Sequence, residues 1–196
     1  MSNGTYKLRV LVVDDEPGMR LGVVRTLRDL TVHVSDVDVS VAFDVEQAET
    51  GEAALEKARE NAPHIVLLDY KLPGMNGIDV LDKLSEMDAD ILAIMITAYA
   101  SLETAVRAMK LGAYDFLAKP FTPEELRYTI RKATNRIVLA EQARKLAQEK
   151  RQVRFQFLSV LAHELKAPLG AVEGFLRIVH EKTAGDNPEM YEQMVD

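Results

Sequence analysis

LRVLVVDDEP, residues Leu8–Pro17, is an almost wholly apolar run that stops at two aspartates and a proline. A short run rich in branched side chains is typical of a strand buried on both faces. Four further runs of the same kind follow it: Phe43–Ala48, Ile65–Leu68 ending at Asp69, Ile91–Ile96 ending at Thr97, and Tyr114–Ala118 ending at Lys119-Pro120. Helical spacing fills the intervals. Met19–Leu30 sets Leu21, Val24 and Leu27 on one face, and Glu52–Asn61 follows Thr50-Gly51. Ile78–Met87 follows a turn at Gly74–Gly77, and Leu102–Leu111 precedes the last run. Strand and helix alternating five times predict an α/β fold, a doubly wound five-stranded parallel sheet with helices on both faces.

Thr31–Ala42, TVHVSDVDVSVA, exceeds what this alternation needs. Val32 and Val34, then Val37, Val39 and Val41, alternate with polar residues in two registers offset at Ser35-Asp36. Period-two alternation suggests an extra half-buried strand or hairpin arm; an extended loop is the plainer alternative. The arm would lie beside the second strand, an edge in the expected order, where pairing with another chain is open.

From Thr122 the pattern changes. Thr122-Pro123-Glu124-Glu125 reads as a helix start, with Thr as N-cap, Pro at the first position and Glu at the third. Neither Gly nor Pro then occurs until Pro168. Leu139, Ala143, Leu146, Val153, Phe157 and Val160 follow a heptad seam with Lys150 within it, and apolar residues continue to Val179. A lone helix from Glu124 to about Glu181 cannot bury such a face, so a partner helix is implied. Thr183–Pro188, TAGDNP, predicts a stop and a restart, with Gly185 as C-cap and Asn187 as N-cap.

Composition narrows the classes. The chain has 196 residues, room for one domain of usual size and an appendage. It holds no cysteine, which excludes disulfides and thiolate metal sites. A net charge of −7 argues against nucleic-acid binding. No apolar run reaches the roughly 18 residues of a membrane span, and the N-terminus is no signal peptide. The expectation is a cytoplasmic segment without membrane contact, whatever anchor a longer parent protein carries.

Parallel α/β sheets carry their functional groups at the carboxyl ends of strands. Asp14, Asp15, Asp69, Thr97 and Lys119 all fall there. Carboxylates converging at one edge repel each other unless a hard cation is bound, and Mg²⁺ favours carboxylates, waters and a phosphate oxygen. A hydroxyl and an ammonium beside it suit phosphoryl transfer by positioning and charge neutralisation. An isolated Asp after a strand is more often a turn residue; the coincidence of all these positions carries the functional reading.

LVVDDE, LLDYKLPGMNG, IMITAY and YDFLAKPF resemble the response-regulator receiver family of two-component signalling, over about residues 6–135. The resemblance implies the flavodoxin-like strand order 2-1-3-4-5. It implies Asp69 as phosphoacceptor, Asp15 and Asp69 as direct ligands of Mg²⁺ (or Mn²⁺), and Asp14 acting through water. It adds the Lys71 main-chain carbonyl as a further metal oxygen, Thr97 and Lys119 as holders of phosphoryl oxygens, a cis Lys119–Pro120 bond, and Phe116 as a switch ring that moves with Thr97. The receiver would catalyse its own phosphorylation from a histidine-kinase donor. Leu72 replaces a commoner Met, and the Thr31–Ala42 insert is the main departure.

FLSVLAHELKAPL, residues 157–169, resembles the H-box of the dimerisation and histidine-phosphotransfer hairpin of sensor histidine kinases. That resemblance implies His163 as a phosphohistidine site with Glu164 assisting, since a neutral imidazole is the required nucleophile. Pro168 predicts a bend. Ala167 stands where the family commonly has Thr or Asn, which predicts weak phosphatase action. His33, His64 and His180 are expected to be ordinary solvated or core residues.

The expected organisation is a receiver core at 1–121 with an insert at about 31–42, a last helix continuing as coiled-coil linker at 122–157, and a truncated hairpin at 158–196. The leading reading is a fragment of a hybrid kinase. It is homodimeric through its C-terminal helix, and its ATP-binding domain lies elsewhere in the parent protein. The alternative is a stand-alone response regulator whose helical tail only dimerises. A DNA-binding regulator lacks a helix-turn-helix pattern here, and a nucleotide-binding domain lacks its Gly-rich loop.

Overall fold

The computed structural model describes residues 6–87, 90–98 and 102–181. Five strand–helix pairs alternate as the sequence predicts: β1 (Tyr6–Val13), α1 (Pro17–Arg28), then, after one additional strand, β3 (Val39–Ala48), α2 (Gly51–Glu60), β4 (Ile65–Asp69), α3 (Gly77–Ser85), β5 (Leu92–Thr97), α4 (Leu102–Lys110), β6 (Asp115–Ala118) and α5 (Pro123–Glu181). The additional strand is β2 (Val32–Val34), within the insert whose alternation suggested a hairpin arm. It corrects the five-stranded expectation: the sheet has six strands in the order β2-β3-β1-β4-β5-β6.

The reason lies in the valine alternation. Val32 pairs with Val41 and Val34 with Val39, antiparallel, across a turn at Ser35–Asp38. Asp38 takes the left-handed conformation (φ 51°), which a short polar side chain tolerates. The shift of register at Ser35-Asp36 is this turn. Val32, Val34 and Val41 are all buried. The insert is therefore an ordered hairpin, and β2 rather than the expected second strand forms the edge. The remaining pairings, β3 with β1, β1 with β4, β4 with β5 and β5 with β6, are all parallel.

Alternate residues of β1 serve two apolar layers, as period-two geometry dictates. Leu8, Val10 and Val12 pack in one layer with Val23 and Leu27 of α1, the hairpin valines, and Leu126, Ile130, Ala133 and Val138 of α5. Leu11 and Val13 pack in the other with Ala54 and Leu55 of α2, Ile78, Leu81 and Leu84 of α3, and Ala108 of α4. The buried face of α1 is Arg20, Val23 and Leu27. Leu21, predicted on that face, is exposed.

Helix starts follow their caps. Thr50 accepts from the Ala53 N–H (3.2 Å) and Asn76 from the Asp79 N–H (3.0 Å). At α5 the predicted box closes both ways: the Glu125 N–H donates to Thr122 Oγ1 (3.2 Å), and the Thr122 N–H donates to Glu125 Oε2 (2.7 Å).

The chain divides into two compact units, Met1–Gln142 and Ala143–Asp196. In the first, α5 stays packed as far as Val138, and Tyr6 Oη donates to Glu141 Oε2 at 2.5 Å. In the second, the described residues are helical, and Leu146, Val153, Phe157, Val160, Leu161 and Leu165 all lie exposed. The backbone is helical on both sides of Pro168. The predicted stop at Thr183–Pro188 lies outside the described residues. Among the described residues no helix is long and apolar enough to cross a membrane.

Candidate functional site: a carboxylate pocket at the sheet edge

β1 and β4 lie side by side, so their carboxyl ends bring Asp14-Asp15 and Asp69 to one edge. Asp14 leaves β1 with its N–H on the Ala48 carbonyl (3.2 Å), and its Oδ1 accepts from the Glu16 N–H (2.9 Å). Asp69 is the last residue of β4 and is buried like Asp14, whereas Asp15 is exposed. Each of the three carboxylates offers an oxygen within 4.8 Å of the others'.

Lys119 enters this group from the end of β6. Its N–H donates to the Thr97 carbonyl (2.8 Å), which ties it to the end of β5. Its Nζ lies 2.8 Å from Asp14 Oδ2, 3.0 Å from Asp69 Oδ2 and 3.7 Å from Glu16 Oε1. The Lys119–Pro120 bond is cis. Thr97, almost fully buried, ends β5 one residue beyond Ile96, the pairing partner of Asp69. Lys71 reaches Asp69 through its backbone N–H, a contact with the carboxylate; the expected role of its carbonyl concerns a different atom. Phe116 is half-buried against the second apolar layer. His163 and Glu164 belong to the second unit, where both are exposed on α5.

The charges do not balance. Burial pushes the Asp69 carboxyl above its ordinary value; hydrogen bonding and attraction from Lys119 and the Lys71 N–H pull it down without prevailing, and Asp14 adds repulsion. For Lys119 burial acts against the ammonium, but hydrogen bonds and attraction from Asp14 and Asp69 together overcome it, and its value is raised. The two results agree physically: one ammonium is shared between two carboxylates, so it is fully served and each acid is not. Asp14 Oδ2, wholly buried, has Lys119 as its charge partner but no well-directed hydrogen bond. A cluster short of positive charge with an under-served buried oxygen fits a divalent cation.

Three residues escaped the sequence reading. Glu16 joins the contacts of Lys119. Arg20, buried within α1, donates from Nη1 to the Asp14 carbonyl (2.7 Å); its helical position gave no hint of this. Gly77 lies so close to Asp69 that a Cβ there would come within 2.1 Å of the Asp69 carbonyl oxygen, although its place in the LPGMNG turn was visible. Gly77→Ala is expected to displace the loop after Asp69, lower the unfolding midpoint and cut the phosphorylation rate more than tenfold. Thermal unfolding and timed mass spectrometry would check both, and a wild-type rate in the variant would contradict the close approach.

Residues 10–131 match the family model for the response regulator receiver domain. The chain belongs to this family. The receiver is 33% identical over 124 residues to sporulation initiation phosphotransferase F of Bacillus subtilis, covering 63% of this chain and 91% of that protein. It is 35% identical over 141 residues to the C4-dicarboxylate transport transcriptional regulatory protein DctD of Pseudomonas aeruginosa, covering 71% of this chain but 28% of DctD. The chain thus spans little more than a quarter of that relative. The crystal structure of the receiver domain of NtrX from Brucella abortus superimposes with a TM-score of 0.53 at 32% identity, covering 63% of this chain and 96% of that one. Receiver domains use Mg²⁺ at an acidic pocket of aspartates, and Asp14, Asp15 and Asp69 form a cluster of aspartates here.

Proposed function

We propose that the receiver takes a phosphoryl group on Asp69 from a phosphohistidine donor and signals through the acyl phosphate. The observation that carries this is Lys119 bridging Asp14 and Asp69 inside a three-carboxylate pocket. An Asp69 oxygen attacks phosphorus, the bond from phosphorus to the donor nitrogen breaks, and that nitrogen keeps the electron pair. Lys119 and the Thr97 hydroxyl take the phosphoryl oxygens, so charge is neutralised by groups already in place. Asp14, Asp15 and Asp69 would hold Mg²⁺ or Mn²⁺, with the Lys71 carbonyl as a further oxygen. The bound cation offsets the negative charge brought together by carboxylates and phosphoryl group. Burial, by raising Asp69, makes its ionised form the more basic nucleophile. Phe116 is the ring proposed to respond when Thr97 engages phosphate. Intact mass after incubation with a small phosphodonor and Mg²⁺ tests the proposal: one phosphoryl increment is expected, and none would refute it.

The match to the response regulator receiver domain, with a transcriptional regulatory protein among the relatives, supports reading the helical tail as a dimerisation module of a response regulator. The proposed partner is a second copy of the chain. The heptad spacing and the exposure of Leu146, Val153, Phe157 and Val160 support it, because such a face is stable only when covered.

A second reading keeps His163 as a phosphoacceptor in a kinase hairpin, with the receiver controlling it and the ATP-binding domain elsewhere in the parent protein. HELKAPL, with an exposed histidine beside Glu164, favours it. His163→Gln decides between the two in the full parent protein. The kinase reading expects complete loss of phosphotransfer to a downstream regulator, and the dimerisation reading expects none.

A further inference from the structure

Arg20 is a cation buried one helical turn from the pocket, yet it touches none of the acidic side chains there that the sequence singles out. Its side chain is 7% exposed. Nη1 donates to the Asp14 main-chain carbonyl at 2.7 Å, and Nη2 pairs with Glu49, which is largely exposed. Glu49 follows Ala48, whose carbonyl accepts the Asp14 N–H. The guanidinium therefore closes a bridge from α1 across the end of β1 to the end of β3. The buried guanidinium reaches both partners at once through its planar fork, the fixed one being the Asp14 main-chain carbonyl.

We propose that Arg20 is a positioning residue for the metal-side acids, holding the Asp14–Asp15 peptide so that both carboxylates face Asp69. This rests on the reading of the pocket as a divalent-cation site. Elsewhere Asp14 is held at its N–H by the Ala48 carbonyl and at Oδ1 by the Glu16 N–H, while Oδ2 has the charge of Lys119 beside it without a well-directed hydrogen bond. The Asp14 carbonyl belongs to the peptide plane that launches Asp15, and the Asp15 carboxylate is exposed, so its direction is set by that backbone. Without Arg20 the plane is free to turn, and the three oxygens lose the mutual spacing a small cation requires. Groups that orient ligands without touching the metal commonly change affinity by roughly 10–100-fold when removed.

The test is calorimetric titration of Mg²⁺ alone into the full chain, which does not depend on whether Asp69 accepts phosphate. Arg20→Met is expected to weaken Mg²⁺ binding about tenfold, and raising Mg²⁺ is expected to restore part of the lost phosphorylation rate. Arg20→Lys, which keeps the charge but not the double reach, provides a second folded variant and is expected to bind Mg²⁺ at least threefold more weakly. A folded variant that binds Mg²⁺ like the wild type would overturn the assignment. So would a variant that loses thermal stability and phosphorylation rate together while its Mg²⁺ affinity is unmoved. If the wild type binds Mg²⁺ but takes no phosphate, the proposed function fails and the role of Arg20 is still decided by the titration.

Discussion

Asp69→Ala is expected to lose the phosphoryl increment completely. Three carboxylates share the pocket, so the prediction is a real choice among them. Asp14 is held by the Glu16 N–H at Oδ1, and its Oδ2 is wholly buried beside Lys119. Asp15 is exposed and lacks the enclosure that shields an acyl phosphate from water. Asp69 is buried, contacted by Lys119 and the Lys71 N–H, and raised by that burial. Intact mass of wild type and variant under the same donor and Mg²⁺ reads the answer directly; an adduct that persists in Asp69→Ala would remove Asp69 from the reaction.

The same residue has a pH signature without metal. A carboxyl whose folded value is raised binds protons more readily in the folded state than in the unfolded one. Its favourable contribution is complete below the ordinary carboxylate value and disappears as pH rises through the raised folded value. At neutral pH the ionised Asp69 is a liability of the metal-free fold. Asp69→Asn, which keeps the shape, is therefore expected to unfold at a higher temperature than wild type at pH 7, with the difference shrinking as pH falls toward 4. Thermal melts across that range in a chelator would show it.

Lys119→Met should be the most damaging single change to stability in the pocket. It leaves Asp14 and Asp69, both buried, without their shared ammonium. Removing one partner of a buried ion pair costs about 3–5 kcal/mol, a large share of the roughly 5–15 kcal/mol that hold a domain together. Denaturant unfolding in a chelator is expected to show that loss. Added Mg²⁺ is expected to recover more stability in the variant than in the wild type, because it replaces missing positive charge. Equal stabilisation of both proteins would contradict the idea that Lys119 offsets the carboxylates.

Much of this pocket was legible before any coordinate. Strands buried on both faces announce themselves as unbroken apolar runs, and the first polar residue after each run marks the sheet edge, which is how Asp14, Asp69, Thr97 and Lys119 could be placed together. Helix starts were legible for a similar reason, since Thr122 and Glu125 act within one turn. What was not legible depends on distance in sequence. The Arg20 bond to the Asp14 carbonyl involves a backbone atom that every residue possesses. The approach of Gly77 to Asp69 is a matter of loop shape. The valine alternation in the insert was visible, but whether it pairs depends on a free edge at β3, and that exists only once the sheet is assembled. Leu21 was misplaced because a 3.6-residue spacing admits two neighbouring faces, and it is Val23, together with Leu27, that meets the sheet.

The contact between Tyr6 and Glu141 bears on where the receiver can be cut. The family match closes at residue 131, yet Ala133, Thr134 and Val138 are buried beyond it, and the first strand is tied to the helix at residue 141. The tyrosine hydroxyl is pushed up to about 12, first by burial and then by that carboxylate, so the tie holds at any ordinary pH. A protein trimmed at the customary boundary would expose apolar surface beside the hairpin and release its own N-terminal strand from its fastening; one ended after Gln142 keeps both. The extra turns of α5 are thus a structural part of this receiver and cannot be trimmed as a dispensable tail.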